Sequence, residues 1–189
     1  MKYKYITLIP AKKKSSRFKN KNLTKIGKKM LFEYTLEASM HCKQIYQTFI
    51  SSDSKKILEI SRKKGAFIHL RPKIFAKKNS TANEVILNFL NSLNLKIYKN
   101  YYLVYLQPTS PLRNHRHISK AIWLSKKFPT HTIISASEQD GAVLKSIIKN
   151  KNNDLLISKK FFNDNDQNLP KVFLPNGAIY IFSINNYFK

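Results

Sequence analysis

Tyr5-Ile6-Thr7-Leu8-Ile9-Pro10-Ala11-Lys12-Lys13-Lys14-Ser15-Ser16-Arg17-Phe18-Lys19-Asn20-Lys21-Asn22 is the stretch on which the fold turns. Tyr5 to Ile9 is a short apolar run of the kind that forms a strand buried on both faces. Pro10 has no backbone donor, so the ladder must end there. The next eleven residues carry five lysines and Arg17, interleaved with Ser15, Ser16 and Asn20 and followed by Asn22. A basic, hydroxyl-rich loop leaving the C-terminal end of a first strand is where an open α/β sheet would hold a polyphosphate. Cationic side chains would neutralise the phosphates, and backbone N–H groups with Ser15 would supply directed donors.

Working outward, strand and helix patterns alternate. A helix is predicted from about Met30 to Met40, then a second strand from Gln47 to Asp53. The next helix runs from about Ser54 to Lys64 with Gly65 at its stop, and a third strand covers Ala66 to Leu70. Thr81-Ala82-Asn83-Glu84 has capping-box spacing and opens a helix to about Leu93. Tyr101 to Leu106 is a fourth strand, Asn114 to Lys127 a helix and Thr132 to Ser137 a fifth strand. Short connections between alternating elements predict a parallel sheet covered on both faces. Beyond Ser137 the pattern loosens. Ala142 to Ile148 reads as a strand, Lys149 to Asp154 as a hairpin tip, and Phe161 to Pro170 as loop. Pro175-Asn176-Gly177 reads as a turn before a last strand, Ala178 to Phe182.

The 189 residues suffice for one domain with a real core. No apolar run is long enough to span a bilayer, and the start of the chain shows no signal-peptide h-region. The single cysteine, Cys42, excludes an internal disulfide and fits a reducing compartment. The formal charge of +25 would attract polyanions. It is spread along the chain, thirty of the thirty-five basic residues are Lys, and no nucleic-acid-binding motif accompanies it, so it reads as mainly compositional. There is no Walker loop, no GxGxxG and no zinc spacing. His115 and His117 lie two residues apart at a helix start and would point to different faces.

The segment from Pro10 to Asn22 resembles the nucleotide-binding signature of the acylneuraminate cytidylyltransferase (CMP-sialic acid synthetase) family, roughly Pro-Ala-Arg-x-Gly-Ser-Lys-x-x-x-x-Lys-Asn. Pro10, Ala11, Ser15, Lys21 and Asn22 match, and Lys12 keeps the charge of the Arg. Further similarity follows in chain order: Ile50-Ser51-Ser52-Asp53, Leu70-Arg71-Pro72, Leu106-Gln107-Pro108-Thr109-Ser110-Pro111-Leu112-Arg113 and Pro175-Asn176-Gly177-Ala178-Ile179-Tyr180. The resemblance implies a Rossmann-like three-layer α/β/α nucleotidyltransferase fold with a mostly parallel sheet. It implies one domain over residues 1–189, with about 138–175 as a dimerisation and sugar-site segment. It also implies a cytoplasmic enzyme of cell-surface polysaccharide biosynthesis, working as a homodimer with neither a membrane nor a specific nucleic acid as partner. The activity implied joins CTP to a nine-carbon 2-keto sugar acid of sialic, legionaminic or pseudaminic type and releases pyrophosphate. Lys12 and Lys21 would be catalytic on the triphosphate. Ser15, Asn22, Arg71 and Thr81 would complete nucleotide binding, and Gln107 would hold the sugar.

Several positions depart from the family pattern. Lys14 stands where the family has Gly, Ser16 where it has Lys, Lys78 near a usual acidic position and Asp166 where a basic residue meets the sugar carboxylate. The resemblance implies Mg2+, but the acidic Asp-x-Asp stretch that holds it in the family would lie past the Asn-Gly-Ala-Ile-Tyr strand. Here Asp164 and Asp166 precede that strand, and its ligands are not found in this chain. Two other readings therefore stand beside the transferase: a homologue that binds nucleotide or a partner without turnover, and a basic nucleic-acid-binding protein.

Overall fold

In the computed structural model, residues 3–14, 18, 20–157 and 159–188 are described; Ser15, Ser16 and Arg17 of the basic loop lie outside them. The elements are β1 (Lys4–Pro10), the two-residue strands β2 (Lys25–Ile26) and β3 (Lys29–Met30), α1 (Leu31–Met40), β4 (Ile45–Ser52), α2 (Lys55–Lys63) and β5 (Phe67–Leu70). These are followed by α3 (Ala82–Ser92), α4 (Leu95–Tyr98), β6 (Tyr101–Tyr105), α5 (His115–Lys127) and β7 (Ile133–Gln139). The chain ends with β8 (Ile147–Lys149), β9 (Leu155–Ile157), α6 (Lys159–Phe162), β10 (Val172–Ser183) and α7 (Ile184–Tyr187).

The main sheet has the order β5-β4-β1-β6-β10-β7. β1 pairs in parallel with β4 on one side and β6 on the other, and β5 extends the sheet in parallel beyond β4. The chain builds outward through β4 and β5, then returns to lay β6 on the other flank of β1. That reversal is the switch point at which open α/β sheets leave a crevice beyond the carboxyl ends of their strands. β10 runs antiparallel to β6, so the sheet is mixed rather than wholly parallel.

β1 is buried on both faces, as its apolar run predicts. Tyr5 and Ile9 face a cluster with Phe32 and Leu36 of α1, Ile57 of α2 and Ile118 and Ile122 of α5. Ile6 and Leu8 face the other way, into a cluster with Ile86, Phe89 and Leu90 of α3. The period of two along a strand thus sorts one sequence into two cores, giving helix, sheet and helix layers. On the first face a buried hydroxyl chain joins α1 to the sheet: Ser39 Oγ lies 2.9 Å from Thr7 Oγ1 and 2.8 Å from Thr48 Oγ1.

The chain divides into two compact units, residues 1–135 with 177–189, and residues 136–176. Within the second, the expected strand from Ala142 is instead a 3-10 turn over Gly141–Lys145. Asp140 Oδ1 accepts from the Ala142 N–H at 2.9 Å and starts that turn, and a Cβ on Gly141 would stand 2.8 Å from the Leu169 Cβ. Extended structure begins only at β8, which pairs antiparallel with β9 around a tip organised by Asn150 Oδ1. The segment expected to be loop holds α6 and a 3-10 turn over Asp166–Asn168. Asp166 is ion-paired to Lys145 at 2.7 Å.

The turn expected at Pro175-Asn176-Gly177 is not a strand boundary. β10 runs through it, and Gly177 absorbs the irregularity at φ +75°. His117 serves the backbone: its Nδ1 accepts from the Asn114 N–H at 3.2 Å at the start of α5. None of the helices among the described residues is long and apolar enough to cross a membrane.

Candidate active site

A cleft of about 560 Å³ opens beyond the carboxyl ends of β1, β5 and β6, within the range of small-molecule sites. Six of the seven residues assigned from the sequence line it: Lys12, Lys21, Asn22, Arg71, Thr81 and Gln107. The seventh, Ser15, lies outside the described residues.

The basic loop is tied down at its base. The Ala11 N–H donates to the Ser51 carbonyl at 2.9 Å, continuing the β1–β4 ladder one residue past Pro10. The Lys13 N–H donates to Asp53 Oδ1 at 2.6 Å, and Asn22 Nδ2 donates to the Lys12 carbonyl at 2.8 Å. Asn22 is buried, so its amide is a brace for the loop as well as a cleft wall. Asn20, at φ 56°, turns the chain into the short 3-10 turn that presents Lys21. Lys12 Nζ reaches across to the Lys77 carbonyl at 3.1 Å.

Arg71 is only 4% exposed, and burial holds its guanidinium below the usual range while Tyr105 and the Asp53 charge pull it back up. Ser51 grips it twice: Nε donates to Ser51 Oγ at 3.0 Å and Nη2 to the Ser51 carbonyl at 2.7 Å. No carboxylate pairs with Arg71 among the described residues. Its guanidinium is held by a hydroxyl and a carbonyl rather than by a salt bridge, so it keeps a net positive charge at the cleft wall.

Thr81 caps α3, its Oγ1 accepting from the Glu84 N–H at 3.2 Å, while Glu84 Oε2 accepts from the Thr81 N–H at 2.7 Å. The positive end of the α3 dipole therefore opens on the cleft through Thr81 and Ala82.

Gln107 lies over Gly177, so closely that a Cβ there would stand 2.6 Å from Gln107 Oε1. Behind it Arg113, 5% exposed, donates from Nη1 to the carbonyls of Gln107 (3.0 Å) and Ala178 (2.6 Å) and from Nη2 to Thr35 Oγ1. Burial lowers the Arg113 pKa to about 10. One fork thus binds the motif loop to β10 and α1. Gly177→Ala should be felt here, since a left-handed φ costs about 1–2 kcal/mol for a residue with a side chain. Thermal melting should show a fall of about 3–6 °C on that basis; an unchanged melting temperature would mean that β10 relaxes there without strain.

Sequence reasoning missed the apolar wall. Phe75, Val85 and Tyr105 line the cleft between the cationic groups, and burial pushes the Tyr105 hydroxyl up to about 12. Val85 and Tyr105 carry the same signal as any core position of α3 or β6, and Phe75 falls in a stretch without periodicity. Ser80 is also in the wall, its hydroxyl donating to the Ile74 carbonyl at 3.3 Å.

The cleft offers cations, amides, hydroxyls and an aromatic wall. None of its described lining residues is a carboxylate, and no group of three or more His, Cys, Asp or Glu that could hold a metal ion occurs among the described residues. Asp53, nearby in sequence to the strand end, already accepts from the Lys13 N–H. The described lining suits a polyanion and offers no carboxylate ligand to a magnesium ion.

The family model described as cytidylyltransferase matches residues 6–178. The chain belongs to the cytidylyltransferase family. Among curated relatives, the N-acylneuraminate cytidylyltransferase of Escherichia coli is 28% identical over 99% of this chain and 44% of its own length. The pseudaminic acid cytidylyltransferase of Campylobacter jejuni is 24% identical over 94% of this chain and 77% of its own. The CMP-N,N'-diacetyllegionaminic acid synthase of Legionella pneumophila is 26% identical over 93% and 76%. The chain thus spans less than half the length of the E. coli relative. A solved CMP:2-keto-3-deoxy-manno-octonic acid synthetase complexed with CTP superposes with a TM-score of 0.75 at 14% identity, covering 98% of this chain and 76% of that one. The 4-diphosphocytidyl-2C-methyl-D-erythritol synthase of Anaerococcus prevotii gives 0.64 at 13% identity, covering 97% and 73%. These two likenesses establish a shared α/β nucleotidyltransferase fold.

Proposed function

We propose that this cytidylyltransferase-family chain transfers CMP from CTP to the anomeric hydroxyl of a nine-carbon 2-keto sugar acid. The observation that carries the reading is the convergence of Lys12, Lys21, Asn22, Arg71, Thr81 and Gln107, drawn from four separate stretches of sequence, on one cleft without a carboxylate among its described lining residues. The relatives' substrates, acylneuraminic, pseudaminic and legionaminic acids, set the range of sugars.

In this reading Lys12 and Lys21 take the triphosphate, and Arg71 and Asn22 recognise the nucleotide with the α3 N-terminus beside them. Phe75, Val85 and Tyr105 form the apolar surface for base and ribose, and Gln107 orients the sugar. The anomeric oxygen forms a bond to the α-phosphorus, the bond from that phosphorus to the bridging oxygen breaks, and pyrophosphate leaves with the bridging electrons. The hydroxyl proton passes to water or a phosphate oxygen, since no imidazole or carboxylate lines the cleft among the described residues. Fixed cations at the phosphates and in-line positioning supply the acceleration.

The exposed apolar residues of the 136–176 unit, Ile147, Ile148, Leu155 and Leu156 among them, support the homodimer that the family resemblance implies. The buried free thiol of Cys42 supports a reducing, cytoplasmic location.

The test is CTP titration calorimetry in magnesium buffer, followed by pyrophosphate release with each of the three sugar acids. Micromolar binding of CTP, and release that depends on one of the sugars, are the expected results. Binding without release would replace the transferase by a nucleotide-binding homologue. Absence of CTP binding would overturn the reading outright.

A further inference from the structure

Arg71 does not stand alone behind the cleft. Ser51 and His69 are register partners on the adjacent parallel strands β4 and β5, so their side chains share a face of the sheet. His69 Nδ1 lies 2.9 Å from Ser51 Oγ, the same oxygen that accepts from Arg71 Nε. The ring also meets Phe89 of α3 edge-on, with centroids 5.5 Å apart. We propose that His69, acting through Ser51, is a positioning residue that sets the angle at which Arg71 faces the cleft.

A serine hydroxyl has one proton and two lone pairs. With Oγ accepting from Arg71, that proton has His69 Nδ1 as its acceptor at hydrogen-bond distance. In the proposed arrangement a chain of single direction runs from Arg71 Nε–H to Ser51 Oγ and from Ser51 Oγ–H to His69 Nδ1. It requires a neutral imidazole carrying its proton on Nε2. The reverse tautomer would make Ser51 Oγ accept from both neighbours and release its proton from the chain. Burial, with the Arg71 charge beside it, lowers the His69 pKa from the usual 6.5 to about 4, so the ring is neutral at physiological pH. Ser51 then occupies Nε–H and one Nη2–H of the guanidinium, which leaves three of its five N–H donors for a ligand. Holding the Ser51 side chain so that Oγ and the Ser51 carbonyl both face Arg71 fixes the plane in which those three donors lie.

The inference rests on the proposed CTP site, and the experiment separates the two. Two-bond 1H–15N correlation spectra of 15N-histidine-labelled protein at pH 7 should show His69 as the Nε2–H tautomer, with its Nδ1 resonance moving in Ser51→Ala. This readout needs no ligand. In CTP titrations, His69→Phe keeps the ring packing on Phe89 but removes the acceptor, and should bind about fivefold to tenfold more weakly. His69→Asn, whose amide oxygen falls near the position of Nδ1, should return affinity to within about twofold of the parent. In an Arg71→Ala background, His69→Phe should have no further effect. An Nδ1–H tautomer, or His69→Phe binding CTP as the parent does, or equal losses in His69→Phe and His69→Asn, would overturn the positioning role. A parent protein that fails to bind CTP would instead overturn the functional reading while leaving the tautomer result to stand or fall by itself.

Discussion

Lys12→Ala/Lys21→Ala is expected to lower CTP turnover by about a thousandfold. Each lysine is the kind of group whose charge-assisted contact is worth about 1.5–3 kcal/mol, so two together span roughly two to four orders of magnitude. The expected loss is local rather than a general effect of lowering a net charge of +25. Charges on the open surface are screened within about 10 Å at ordinary ionic strength. The matched control is Lys55→Ala/Lys56→Ala, which removes the same two charges from exposed positions at the start of α2. Pyrophosphate release measured at saturating sugar acid should fall in the first pair and hold within about twofold in the second. A loss below tenfold in the cleft pair, or equal losses in both, would remove these lysines from the reaction.

Phe89→Ala should produce the largest loss of stability among single core changes on the α3 face. Phe89 is fully buried, and its ring meets Phe49 at 5.1 Å and His69 at 5.5 Å. Truncating a buried Phe costs about 3–5 kcal/mol, from lost transfer energy plus the cavity left behind. For a chain of this size that is a fall in melting temperature of about 10 °C or more. Calorimetry or circular dichroism gives the number directly. CTP affinity should weaken as well, because the helix that Phe89 anchors brings Thr81 and Ala82 to the cleft. A melting temperature within about 2 °C of the parent would show that the surrounding side chains collapse to fill the space.

What could be read from the residues followed from local chemistry. Thr81 and Glu84 had to cap α3 and Gly65 had to stop the helix before β5, because each of these acts on its own immediate backbone, whereas the ladder expected to end at Pro10 runs one residue further through the Ala11 N–H. The motif carrying Gln107 and Arg113 was recognisable as a string, yet nothing in it announced that Arg113 would reach Ala178 on β10 and Thr35 on α1. Those contacts are 65 and 78 residues away in the chain. The antiparallel entry of β10 beside β6 is likewise non-local, since its hydrophobic alternation would serve either direction. In residues 136–176, single polar groups such as Asp140 and Asn150 decide between turn and strand. The apolar run from Ala142 masked that choice. His69 looked like an ordinary member of a short strand; only the register with Ser51 makes it a partner of Arg71.

The crowding of cations around a mouth with no acidic residue among its described lining has a kinetic side. Field lines from Lys12, Lys21 and Arg71 converge where low-dielectric protein borders water, and the surrounding lysine-rich surface reinforces them at long range. A multiply charged nucleotide would be drawn inward before it touches any side chain, so capture would outpace unguided diffusion and slow as added electrolyte thickens the ion atmosphere. In the proposed reading the neutral wall of Phe75 and Val85 would then decide what remains after arrival, since an inorganic polyphosphate has no ring to lay against it.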